Sequence, residues 1–229
     1  MKPEKTMQDL VYFSGALSLP YRLHVPKKTA KKPYPLILFL HGMGERGEDN
    51  LLQLKHGVTS ILDYLKRHKQ DAMLVAPQCP LDDTWTDLSK RAINPSERSL
   101  KLALELVEIL QEEYPLDSNR LYITGLSMGG FATWSVLCEH PERFAAAIPI
   151  CGGGNTRQAK RLINTPIWVF HGDRDEVVRP EYSRKMVAAI QKHGGQKIHY
   201  REYEGVEHDS WSVTYADDEV LDWLFAQKH

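Results

Sequence analysis

Four short, unbroken apolar runs do most to restrict the folds open to this chain: Leu36-Ile37-Leu38-Phe39-Leu40, Ala72-Met73-Leu74-Val75-Ala76, Ala147-Ile148-Pro149-Ile150 and Ile167-Trp168-Val169-Phe170. A run without alternation has no face to give to water, which suits strands covered on both sides in a parallel sheet. Between the runs lie segments of helical period. In 96–113, Leu100, Leu104, Val107 and Leu110 recur three or four residues apart, and 58–69, 181–193 and 216–227 read alike. Strands alternating with helices predict an α/β architecture: a mostly parallel central sheet with helices on both faces. Residues 11–14 and 21–25 instead alternate apolar and polar, as half-exposed antiparallel strands do, and 198–203 reads as a last strand. No repeat, low-complexity tract or linker interrupts the 229 residues, so 1–229 is expected to form one domain around one core. The longest stretch without an obvious element is 77–95.

A formal net charge of -1, with both signs interspersed, provides no field that would gather nucleic acid or an anionic membrane; the expected partner is a small, weakly charged molecule. Lys27, Lys28, Lys31 and Lys32 form the one basic cluster, and the intervening Thr29 and Ala30 mark it as a solvated loop. Cys79, Cys138 and Cys151 lie far apart without paired spacing, which argues for reduced, buried thiols and against a disulfide framework or a zinc site. No helix carries H-E-x-x-H, so neither metal nor cofactor is expected. The first ten residues lack the apolar core of a secretory leader, and no apolar stretch is long enough to span a bilayer. A soluble, cytoplasmic protein is the expectation, although a leader trimmed from the chain would leave the same text.

The chemistry is concentrated in Gly125-Leu126-Ser127-Met128-Gly129-Gly130, between the run Leu121-Tyr122-Ile123-Thr124 and a helical segment at 131–139. A serine on a sharp strand-to-helix turn between glycines has its hydroxyl exposed and a helix N-terminus beneath it, the setting of a nucleophile. A serine hydroxyl needs a histidine to take its proton and a carboxylate to orient that histidine. In one serine-hydrolase arrangement built on such a strand-to-helix turn, acid and histidine follow the serine in that order. His171-Gly172-Asp173-Arg174-Asp175 directly follows the strand at 167–170; Asp175 is the favoured acid, with Asp173, after glycine, shaping the turn or pairing with Arg174. Of the histidines beyond it, His193 ends a helix, His199 lies in a strand and His229 is terminal, which leaves His208 in the polar loop Gly205-Val206-Glu207-His208-Asp209. For the oxyanion of a tetrahedral intermediate, one donor is expected from the N–H of Met128 and a second from Met43, or failing that Gly42, in His41-Gly42-Met43-Gly44-Glu45-Arg46-Gly47. The Met43 side chain either lines the acyl pocket or fills core. Trp85 and Trp211 either border the pocket or simply pack, Trp134 falls at a core spacing, and Glu45 and Arg46 form an ion pair that fixes the loop or a polar rim.

These four motifs, taken in order, resemble the α/β-hydrolase superfamily. More narrowly they resemble its compact phospholipase/carboxylesterase branch, with the acyl-protein thioesterases, dienelactone hydrolases and feruloyl-esterase-like enzymes. The resemblance runs from Leu36 to the C-terminus and implies Ser127, Asp175 and His208 as a triad, with Met43 and Met128 as oxyanion donors. Two departures matter: no long insertion between Ile150 and Ile167 could build a lid domain, and a dienelactone hydrolase is expected to carry cysteine where Ser127 stands. The implied activity is cofactor-independent hydrolysis of small carboxylic esters, of short acyl or aromatic type, through an acyl-enzyme. A thioesterase or serine peptidase of the same fold, and a non-catalytic binding protein that kept the pocket, are the alternatives.

Overall fold

The computed structural model describes residues 2–26, 33–86 and 98–229. Its strands are β1 (Gln8–Ser14), β2 (Leu17–His24), β3 (Tyr34–Leu40), β4 (Met73–Pro77), β5 (Leu116–Leu126), β6 (Ala146–Ile150), β7 (Ile167–Gly172) and β8 (Ile198–Tyr203). All eight join one sheet in the order β1-β2-β4-β3-β5-β6-β7-β8. From β4 to β8 every pairing is parallel, while β1 with β2 and β2 with β4 are antiparallel. This is the expected α/β architecture. The alternating patterns read at 11–14 and 21–25 become the antiparallel edge, and the unbroken runs become the buried centre, where β3, β4, β6 and β7 are covered along their whole length.

The helices are α1 (Val58–Arg67), α2 (Arg98–Glu113), α3 (Met128–Glu139), α4 (Glu181–Lys192), α5 (Trp211–Ala216) and α6 (Asp218–Ala226). Because successive strand side chains face opposite ways, Leu36, Leu38 and Leu40 pack with α2, α3 and α4, while Ile37 and Phe39 pack with α1, α5 and α6. Two cores therefore sandwich the sheet. Among the described residues no helix is long and apolar enough to cross a membrane.

Two element boundaries differ from the sequence reading. The helix expected over 216–227 is α6, and a separate helix that the sequence reading did not expect, α5, precedes it, because Asp217 takes an extended conformation (ψ 111°) and its carboxylate accepts the N–H of Glu219, ending α5 and capping α6. β5 begins at Leu116, five residues before its apolar run, since Leu116 pairs with Tyr34 ahead of a register shift. The cluster Lys27, Lys28, Lys31 and Lys32, together with the part of 77–95 beyond Thr86, lies outside the described residues.

Candidate active site

β5 runs straight into α3, and the turn between them is tight. Ser127 takes φ 53° and ψ -114°, a left-handed backbone that a side chain adopts only under constraint. The constraint comes from both flanks. Its N–H donates to Ile150 O at 3.0 Å and lies 3.3 Å from Cys151 Sγ, so the end of β6 holds the turn. A Cβ on Gly129 would stand 2.0 Å from Leu40 O; only glycine lets the first turn of α3 approach β3 so closely.

The sheet brings three remote residues to this point. Ser127 Oγ lies 3.0 Å from His208 Nε2, and His208 Nδ1–H donates to Asp175 Oδ2 at 2.7 Å. With Nδ1 the donor, Nε2 carries the lone pair that faces the hydroxyl. The other oxygen, Asp175 Oδ1, accepts the N–H groups of Val177 and Val178 at 2.9 and 2.8 Å. Burial raises the pKa of this carboxyl, but hydrogen bonds from His171, His208 and the Val178 N–H outweigh it and hold Asp175 well below the usual carboxylate range. It is a fixed, buried anion.

Two residues of this cluster carry roles that sequence reasoning missed, although both stand in the motif it singled out. His171 is fully enclosed; its Nε2–H donates to Val178 O at 2.7 Å and stands 3.3 Å from Asp175 Oδ2, bracing the acid from behind. Asp173 Oδ1 accepts the N–H of Gly205 at 2.7 Å, so instead of shaping its own turn it ties down the loop that carries His208. Arg174 N–H donates to Val206 O in the same seam. Cys151 had no sequence signal at all, because its place beside Ser127 follows from β6 lying next to β5.

The loop after β3 is built from below. Trp85 Nε1–H donates to His41 O, Cys79 N–H donates to His41 Nε2, and His41 Nδ1–H donates to Gly42 O. Burial pushes the His41 imidazole down to about 4 and keeps it neutral. Trp85 is completely buried, so it supports the loop and offers no surface to a ligand; the expectation that its indole borders the pocket does not hold. Nor do Glu45 and Arg46 pair. Arg46 reaches the carbonyls of Met43, Leu81 and Asp83, while buried Glu45 lies 3.6 Å from His56 Nε2. The loop is fixed by Arg46 binding carbonyls, because the 3-10 turn ends at Glu45 and the backbone is extended at Arg46, so the two side chains meet different partners. Met43 opens that turn and Met128 opens α3, so neither N–H has an acceptor within its own helical segment. Gly42 is buried just before Met43, whose side chain is exposed; Trp211, nearly buried, sets its ring edge-on to His208 with centroids 5.1 Å apart.

Among the described residues one group has the makings of a metal site: ligand atoms of Cys151, Asp175 and His208 lie within 4.8 Å of one another. Asp175 and His208 are already committed to each other, and burial pushes the Cys151 thiol far up, away from the thiolate that a metal requires. All three cysteines are buried and free.

A model of the phospholipase/carboxylesterase family matches residues 23–217. The chain belongs to that family. Within the wider α/β-hydrolase fold, a thermostable esterase of known structure is similar at 40% identity and TM-score 0.91, over 98% of this chain and 64% of its own. The bifunctional acetylxylan esterase/xylanase XynS20E of Neocallimastix patriciarum is 25% identical over 76% of this chain and 24% of its own length. Acyl-protein thioesterase 1 of Yarrowia lipolytica is 23% identical over 88% of this chain and 95% of its own. The chain thus spans less than two thirds of the first two relatives. The phospholipase/carboxylesterase match begins in β2 and ends at Asp217, enclosing Met43, Ser127, Asp175 and His208 alike.

Proposed function

We propose that this protein is a serine carboxylesterase acting on small carboxylic esters, with Ser127 as nucleophile, His208 as general base and then acid, and Asp175 as the anion that orients it. The continuous hydrogen-bonded line from Ser127 Oγ through His208 to Asp175 carries this reading. His208 Nε2 takes the hydroxyl proton as Oγ attacks the ester carbonyl, and the imidazolium is stabilised by the buried carboxylate. The oxyanion is received by the N–H groups of Met43 and Met128. His208 then protonates the departing alcohol, and a water activated by the same nitrogen releases the acid. No step calls on a cofactor.

Similarity to a thermostable esterase along nearly the whole chain favours oxygen esters. The acyl-protein thioesterase relatives keep thioesters as a second reading, which matched oxygen and sulfur esters of one acyl group separate by their kcat/KM values. The test of the mechanism is covalent: a fluorophosphonate should label Ser127 stoichiometrically, and Ser127→Ala should lose both the label and about a millionfold in kcat on p-nitrophenyl acetate. A Ser127→Ala protein retaining a tenth of the wild-type rate would remove the serine from the mechanism. A non-catalytic binding protein would take up no label.

A further inference from the structure

Among the described residues, nine large apolar side chains are exposed, and they are not scattered. Three lie on the hairpin of β1 and β2. The other six, Met43, Leu51, Leu52, Leu81, Val177 and Val213, all lie on segments that follow the C-terminal ends of β3, β4, β7 and β8, the edge of the sheet at which Ser127 stands. Leu81 and Val177 are 70% and 73% exposed. Single exposed apolar groups need no explanation; six gathered at one edge do.

Hydrogen bonds join this apolar rim to the site. Val177 N–H is bound to Asp175 Oδ1, and the Arg46 guanidinium holds the carbonyls of both Met43 and Leu81. From β4 to β7 the rim spans four strand spacings, roughly 20 Å. The connection between β6 and β7 does not cover it, since Ala159 and Leu162 in its 3-10 run are buried in the core. The same segments expose the acids Glu48, Asp49, Asp82, Glu176, Glu204, Glu207 and Asp209 against the cations Lys55, Arg174 and Arg179, a net acidic balance that repels an anionic surface. A second copy of the chain seated on this edge would close off Ser127. An uncharged apolar phase that itself consists of ester meets both conditions.

We propose that the rim seats the enzyme on an undissolved, uncharged ester, so that molecules pass from that phase to Ser127 without first dissolving. The proposal rests on the ester-hydrolysis reading above and names the physical form of its substrate. Its test uses emulsified tributyrin against dissolved p-nitrophenyl acetate, and flotation of the protein with tributyrin droplets, in wild type and in the double variant Leu51→Asp, Val213→Asp, two exposed rim positions outside the triad and its hydrogen-bond partners. The wild type should float with droplets, as should inactive Ser127→Ala, and its tributyrin rate should climb once the solubility limit is passed. The double variant should lose about tenfold on the emulsion, with less than about a twofold change on the dissolved ester. Equal loss on both substrates would overturn the proposal, as would absence of flotation. So would flotation with phosphatidylcholine vesicles alone, or sedimentation showing a dimer that the two substitutions dissolve. If wild type cleaved neither ester, the hydrolytic reading itself would fail, while flotation would still decide whether the rim binds.

Discussion

Asp175→Asn keeps the size of the side chain and removes its charge, and the structure dictates how the amide must sit. Oδ1 accepts two backbone N–H groups, from Val177 and Val178, so the asparagine oxygen is held there and the NH2 group is turned toward His208 Nδ1, 2.7 Å away in the wild type. Two N–H donors cannot face each other at that distance. His208 therefore moves its proton to Nε2, and that N–H now points at Ser127 Oγ, 3.0 Å away, where a lone pair is needed to take the hydroxyl proton. The expected loss is about four decades in kcat, or ~5 kcal/mol of transition-state stabilisation, with little change in KM because the carboxylate is buried away from substrate. Stopped assays on p-nitrophenyl acetate measure the rate, and proton NMR reads the tautomer through loss of the low-field Nδ1–H resonance. A variant within tenfold of wild type would mean that His208 does not depend on Asp175 for its orientation, and the mechanism would have to be rebuilt without the acid.

Two further expectations concern the scaffold. Folded His41 stays neutral down to about 4 while the unfolded chain takes up that proton near 6.5, so the unfolded state binds more protons between these values and stability must fall as pH drops through the window, by ~3 kcal/mol at most from this residue. Urea midpoints at pH 7 and pH 4.5 for wild type and His41→Gln measure it; equal pH slopes in the two proteins would refute the assignment. Gly129→Ala places a methyl 2.0 Å from Leu40 O, a backbone atom that cannot yield cheaply, and should cost ~3 kcal/mol of stability together with most of the esterase rate; a thermal midpoint equal to wild type would contradict the close approach of α3 to β3.

Much of this site was legible in the chain because its chemistry is written in local patterns. Strand, glycine-flanked serine and helix are adjacent in sequence, and the strained turn at Ser127 is a consequence of that adjacency. Asp175 and His208 were separable from their rivals by order and by the kind of segment each occupies, since a residue at the end of a parallel strand is already near the catalytic edge of the sheet. Supports were harder to read. Trp85 looks like a pocket residue in a sequence listing and proves to be a buried prop, because the indole N–H found His41 O and left no face for a ligand. Arg46 follows Glu45 and suggests an ion pair, yet the 3-10 turn ends at Glu45 and the chain is extended at Arg46, and each found partners elsewhere.

The amino-acid order alone determined the period of each element, hence the parallel sheet clothed in helices, and singled out Ser127, Asp175 and His208 as the three side chains proposed to react, since both are properties of residue type and spacing along the chain. Only the folded sheet decided the bracing of Asp175 by His171, the tie from Asp173 to Gly205, the thiol of Cys151 beside Ser127 and the gathering of exposed apolar side chains at one edge. Those depend on which strand lies next to which, and strand neighbours are chosen by packing between segments far apart in the chain, a choice no local pattern encodes.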